Sequence, residues 1–375
     1  MSLRGDCFGQ EQERPRNDGN NLGDIMLQTQ TLPILRHASR QDKLWLPRLS
    51  FAPVNTAPRG DTLIVVFLRG AADVLNMVVP HGEDAYYQLR PSLGIPRPDD
   101  SSKKKEERAV DLDGFFGLHP NMQSLLDAWQ NEHLAIIHAC GAPDESRSHF
   151  KAMELMERGV DDERGPASGW IGRHLATLNT GNSSPLRAVG MGTRPQRSLS
   201  GSVPVSALRS IADFHLGGDQ RALQQMRVAL NTVYENDVLG QDTLSIMDTL
   251  QKLDLTNYQS PITDYPDTEF GLALKQTAML IKANVGLEVS AIDLGGWDTH
   301  FAQGSARGLM PNLMKDLAEG LAAFHADMFD HMNQLTTVTM SEFGRRASEN
   351  GSLGTDHGHG SMMMVMGGNV NGGKV

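Results

Sequence analysis

Positive charge is in short supply in this sequence. Its 375 residues set 34 Lys and Arg against 45 Asp and Glu, for a formal net charge of -11 and a pI near 5.6. Nucleic acid selects basic surfaces, so the composition argues against a nucleic-acid partner. Cysteine is scarcer: Cys7 lies in a polar stretch and Cys140 ends an apolar run, which argues against a structural disulfide. No apolar run approaches the ~20 residues that span a bilayer. No continuous apolar stretch precedes a small-residue cleavage site, so no intact secretory signal is seen and the localisation stays open. No internal repeat is found. Hydrophobic residues at 39% and aromatics at 6% remain, a globular composition with length for one large α/β domain or two smaller ones.

Residues 1–60 include "GQEQERPRNDGNN", polar and of low hydrophobicity, and are predicted to be a poorly ordered leader. Residues 61–375 are predicted to form one α/β domain. "DTLIVVFLRG" and "LAIIHACG" are short, continuous apolar runs bounded by turn signals, the pattern of strands buried on both faces. "NMQSLLDAWQNEH" has helical spacing. "SHFKAMELMERG" reads as a helix capped by Ser148 and closed by Gly159. Residues 190–260 are expected to form a mainly helical insertion or cap. "GLALKQTAMLIKANVG" and "LMPNLMKDLAEGLAAFHADMFDHMNQL" are further helices, the second with a stripe through Leu309, Leu313, Leu317, Leu321, Phe324, Met328 and Met332. "LEVSAIDL", "TTVTM" and "MMMVMGG" are strands. The closing "GGKV" resembles the start of another hairpin, so the natural chain is expected to continue. The alternation predicts a doubly wound, mostly parallel α/β sheet with helices on both faces.

In such sheets ligands bind outside the carboxyl ends of the strands. After the first strand comes Asp73. After the second come Ser146, Arg147, Ser148 and His149. "GGWDTH" brings Asp298 and His300. The last loop brings Glu342 and Arg345, then Asp356, His357 and His359. Mixed carboxylate and imidazole donors suit zinc, manganese or iron. The number of candidates exceeds one tetrahedral shell, so one or two divalent ions are expected, with zinc or manganese preferred. Glycines at 295, 296, 351, 354, 358 and 360 are expected to let the backbone turn around an ion.

Ser148 has two readings. It is an ordinary N-cap, worth roughly 1 kcal/mol, or a nucleophile activated by the helix N-terminus and a nearby metal. Arg147 and Arg345 are candidate clamps for a phosphate or sulfate. His149 is a candidate proton donor to the leaving group or an orienting residue for a ligand. His119 and His138 read as structural, and Trp297 as a packing residue.

The motifs "FLRGAADVLNMVVP", "DGFFGLHP", "SRSHFKAMELMERG", "GWIGR", "GGWDTH", "SEFGRRASENGSLGTDHGHG" and "MGGNVNGGKV" resemble, in order, the domain of unknown function 1501 family. The resemblance covers roughly residues 61–375. That family looks like a branch of the alkaline phosphatase, sulfatase and cofactor-independent phosphoglycerate mutase superfamily. The resemblance implies a doubly wound sheet with one or two divalent metals. It implies metal ligation by Asp73, by Asp298 with His300, and by His357. It implies a nucleophile at Ser148, with Ser146 as the alternative. Where the superfamily has Asp-His, this chain has Glu342 alone. Family members usually read Gly-Gly-Ala-Asp-Gly where this chain reads Gly70-Ala71-Ala72-Asp73-Val74. Many members carry a twin-arginine export leader, which is not seen here. Together these readings predict a metal-dependent hydrolase of small anionic phosphate or sulfate esters. The alternative is a non-catalytic, metal-stabilised binding or scaffold protein.

Overall fold

The computed structural model describes residues 61–143, 145–178, 180–211, 228 and 264–375. The expected leader at 1–60, and the helices expected between 212 and 260, lie outside the described residues apart from Val228.

β1 (Thr62–Leu68) is seven aliphatic, aromatic or β-branched residues, all buried. Three two-residue strands, β2 (Val78–Val79), β3 (Val110–Asp111) and β4 (Gly117–Leu118), form a small separate sheet. The main sheet gains β5 (Leu134–Cys140), β6 (Ala188–Met191), β7 (Ser206–Leu208), β8 (Val289–Leu294) and β9 (Leu335–Met340). β10 (Arg345–Glu349) and β11 (Thr355–His357) pair with each other, and β12 (Ser361–Met366) returns to the main sheet. The order across that sheet is β5-β12-β9-β1-β8-β6-β7. β1 is parallel to β8 and β9, and β6 to β7 and β8. β12 runs antiparallel to both its neighbours, β5 and β9.

The helices are α1 (Val74–Met77), α2 (Asp84–Leu89), α3 (Leu126–Gln130), α4 (His149–Arg158), α5 (Trp170–Thr177), α6 (Glu269–Lys282) and α7 (Leu309–Asp327). Alternate residues of β1 point to opposite faces. Ile64, Val66 and Leu68 join a core with Trp129, Leu274, Leu317 and Phe324, from α3, α6 and α7. Leu63, Val65 and Phe67 join a second core with Ile171 and Leu175 of α5 and, at its margin, Met153 and Met156 of α4. Helices therefore cover both faces, and the doubly wound, mostly parallel arrangement is the observed one.

Several local expectations are corrected. β5 is an edge strand, and its residues 137–139 are exposed rather than buried. The helical pattern after Pro120 begins as a 3-10 turn, Pro120–Leu125, before α3. Residues 188–208, partly within the expected insertion, supply β6 and β7 at the other sheet edge. On α7 the buried stripe runs through Met310, Met314, Leu317, Leu321 and Phe324, while Leu309 is exposed. No helix of the described residues is long and apolar enough to cross a membrane.

Candidate metal centre

β1, β8 and β9 are parallel neighbours, so their carboxyl ends share one edge. The β1 turn carries Asp73, the β8 turn carries Asp298 and His300, and Ser341 and Glu342 follow β9. β12 runs the other way, so the β10–β11 hairpin that precedes it stays at the same edge with Asp356 and His357. α4 brings His149 there as its first residue.

His149, Asp298, His300 and His357 each offer one ligand atom, and these atoms lie within 4.8 Å of one another. His300 Nε2 is 2.8 Å from His357 Nε2 and 3.0 Å from Asp298 Oδ1. That oxygen is 3.4 Å from His149 Nε2 and 3.5 Å from His357 Nε2. Donors around a tetrahedral zinc ion, with bonds of about 2.0–2.1 Å, stand roughly 3.3 Å apart.

Each ring is held from behind. His149 Nδ1 donates to Glu342 Oε1 at 2.7 Å. His300 Nδ1 faces Asp356 Oδ1 at 3.3 Å. His357 Nδ1 donates to the Arg147 carbonyl at 2.8 Å. A neutral ring that donates from Nδ1 carries its lone pair on Nε2, the atom free to bind a metal. His149 Nε2 is buried and without a hydrogen-bond partner. Two Nε2 lone pairs 2.8 Å apart repel unless a proton or a cation lies between them. The donor set fits a divalent ion on these grounds.

Electrostatics agree. Burial raises the Asp298 carboxyl, but the Arg345 hydrogen bond and charge, with His149 and His300, outweigh it and hold the pKa below the usual range. Burial lowers His357, the Arg147 carbonyl opposes this, and the charges of His149, Arg345 and His300 lower it further. A neutral imidazole is the form that ligates.

The remaining candidates sit elsewhere in the arrangement. Glu342, expected as a ligand, is 1% exposed and lies behind His149; Oε1 also accepts the Gly70 amide at 2.9 Å. Asp73 is outside the group of four. Its carboxylate takes both Arg90 terminal nitrogens, at 2.5 and 2.8 Å, and Gln303 Nε2 at 2.6 Å. Arg345, expected as an anion clamp, is buried and commits its donors inward. It binds the carbonyls of Ala71, Gly70, Trp297 and Thr355, reaches His300 Nε2 at 3.3 Å, and donates to Asp298 Oδ1 at 2.7 Å. Asp356 also accepts from Asn350 at 3.0 Å, and that bond, with His300, holds its pKa down. His359 is exposed and its ring lies against Gly141. Ser148 has an extended backbone at the start of α4, is exposed, and makes no side-chain cap bond. Its amide donates to Ser146 Oγ at 3.2 Å. The Arg147 side chain is exposed.

Two of the glycines expected to shape the loop do so by close approach. A Cβ on Gly354 would strike the His300 carbonyl, and one on Gly358 the Arg345 backbone. Gly295, Gly351 and Gly360 have open space around them. Arg90 and Gln303 gave no sequence signal, because they lie 17 and 230 positions from the carboxylate they hold. His149 stood next to Ser148 in the sequence, but nothing local showed that Glu342 would anchor its ring.

A family profile described as "Protein of unknown function (DUF1501)" matches residues 61–375. The chain belongs to that family. No curated protein matches it. Among solved structures, this DUF1501 chain is similar to the integral membrane protein lipooligosaccharide phosphoethanolamine transferase A (EptA) from Neisseria meningitidis. The TM-score is 0.36 at 11% identity, covering 84% of this chain and 49% of that one. The chain thus spans about half the length of the transferase. The soluble domain of the same transferase gives a TM-score of 0.34 at 12% identity, covering 84% of this chain and 79% of that one. Likeness this loose adds nothing to the strand order described above.

Proposed function

We propose that this DUF1501 chain is a metal-dependent hydrolase of phosphate or sulfate esters, with one divalent ion held by His149, His300, His357 and Asp298. The observation that carries the reading is three imidazole Nε2 atoms, each fixed by an oxygen acceptor at Nδ1, converging on one carboxylate oxygen. A set rich in imidazole favours zinc over manganese. Bound there, the ion supplies Lewis acidity and positive charge at an ester oxygen.

The chain's own groups have distinct tasks. Ser148 is exposed at the start of the ten-residue helix α4, one residue from His149, and its hydroxyl is free of capping. The positive end of the helix favours its ionised form, and it is the nucleophile of this reading. Ser146 holds the Ser148 amide and so positions it. Arg147, whose carbonyl already touches the centre through His357, is the clamp for the anion. His149 has Nδ1 on Glu342 and Nε2 in the cluster, so no nitrogen is left to protonate a leaving group. It acts as a ligand.

One observation favours the scaffold alternative: four protein donors close a tetrahedral shell, as structural zinc sites do. Against it, Asp298 Oδ1 also accepts the Arg345 hydrogen bond, which makes it the weakest of the four donors. Metal analysis of the purified protein, followed by assay on aryl phosphates and aryl sulfates, separates the two. The enzyme reading expects one equivalent of metal and turnover that Ser148→Ala lowers by about a thousandfold or more while metal stays bound. Bound metal with no turnover on a broad ester panel favours the scaffold.

A further inference from the structure

The two most exposed large apolar side chains among the described residues are Phe150, at 90%, and Phe301, at 73%. Each directly follows a histidine of the metal centre, Phe150 after His149 and Phe301 after His300. Consecutive Cα atoms are about 3.8 Å apart, so the backbone of each phenylalanine is fixed beside that of a histidine in the cluster. Leu353, also exposed, adjoins Phe301 through the backbone. Ala302 and Gln303 donate to the carbonyls of Ser352 and Leu353 at 3.0 and 2.8 Å, lacing the two turns together. Isolated exposed apolar residues are ordinary. Two phenyl rings, each one residue from a donor of the same ion site, are a different matter.

We infer that Phe150 and Phe301 form an apolar rim that receives the carbon group of the ester, so the substrate is a compact amphiphile. Its anionic head lies on the metal centre and its aryl or short alkyl group lies against the two rings. The inference rests on the ester reading above. The charge pattern suits one such molecule. Of the carboxylates around the centre only Asp298 is in the group of four, so a divalent ion there keeps a site for an anion, while the flanking phenyls offer apolar surface to what the anion is attached to.

Phosphonates test this without turnover, because the carbon–phosphorus bond of these analogues has no ester oxygen to cleave. Phenylphosphonate and methylphosphonate are titrated by calorimetry into zinc-loaded protein whose metal content is verified. The expected result is tighter binding of phenylphosphonate by about tenfold or more, from the added apolar area buried. That preference is expected to vanish in a Phe150→Ser, Phe301→Ser double variant that retains one equivalent of metal. Equal wild-type affinity for the two phosphonates overturns the rim and leaves the ester reading standing. Binding of neither, with metal present, overturns both. A concentration-dependent dimer that the double variant abolishes assigns the rim to a second copy of the chain and also overturns the inference.

Discussion

Glu342 shows how much depends on which atom of a side chain is engaged. It offers no oxygen to the group of four, yet its Oε1 decides which nitrogen of His149 faces the centre. Replacing such an acceptor usually weakens metal affinity by about 10–100-fold. Glu342→Gln is therefore expected to lower zinc affinity in that range, measured by competition with a chromogenic chelator. His149→Ala, which removes a donor, is expected to cost more. The candidates were legible in sequence as residue types at strand ends. Their division into donors and supports was not. Asp73, Asp298 and Glu342 look alike in a sequence. One faces Arg90, one faces three imidazoles, and one lies under a ring, because side chains distant in sequence, such as Arg90 17 positions and His149 193 positions away, arrive at them.

At the level of elements, continuous apolar runs were the easiest feature to read. β1 is buried along its whole length, and α6 and α7 begin close to where the pattern places them. Edges were harder, because a run such as Leu134–Cys140 looks the same whether one or two faces are covered. The short strands β6 and β7 carry too few residues to signal a strand without their neighbours. The phase of α7 was also ambiguous, since Leu309 and Met310 are both apolar and only one faces inward. Met310 is fully buried and Leu309 is 63% exposed. Met310→Ala is expected to lower unfolding free energy by about 2–4 kcal/mol, and Leu309→Ala by about 0.5 kcal/mol or less. Denaturant midpoints of the two variants check the assigned face.

Across the molecule, His119 links distant parts by a geometry that requires a neutral ring. Nδ1 accepts the Asn121 amide at 3.0 Å and Nε2 donates to the Ser305 carbonyl at 3.0 Å. Burial drives its pKa down to about 4, while the Ser305 carbonyl pulls the other way. Above pH ~6.5 the ring is neutral in folded and unfolded chains alike, and contributes no pH dependence. Between pH ~6.5 and ~4 the unfolded chain takes up a proton that the folded chain refuses, so stability falls as pH falls. The loss reaches roughly 3 kcal/mol and levels off below pH ~4. Urea midpoints of the metal-free protein from pH 7.5 to pH 4.5 are expected to decline more steeply in wild type than in His119→Gln.

The reversal of β12 has a consequence for how the fold can vary. β9 and β12 are adjacent and antiparallel, so the chain that leaves one returns to the other without crossing the sheet. Everything between Met340 and Ser361 is one excursion that leaves and rejoins neighbouring strands, and it is tied back to the β1 and β8 turns by Arg345 and by the Ala302 and Gln303 amides. Its length is limited by loop closure, which rises only as the logarithm of the number of residues. His357 of the candidate metal centre, with Glu342, Asp356 and Arg345 that hold its members, rides on that excursion. A change in the length of that segment therefore reshapes the candidate site from one side, while the order of the sheet beneath depends on none of its residues.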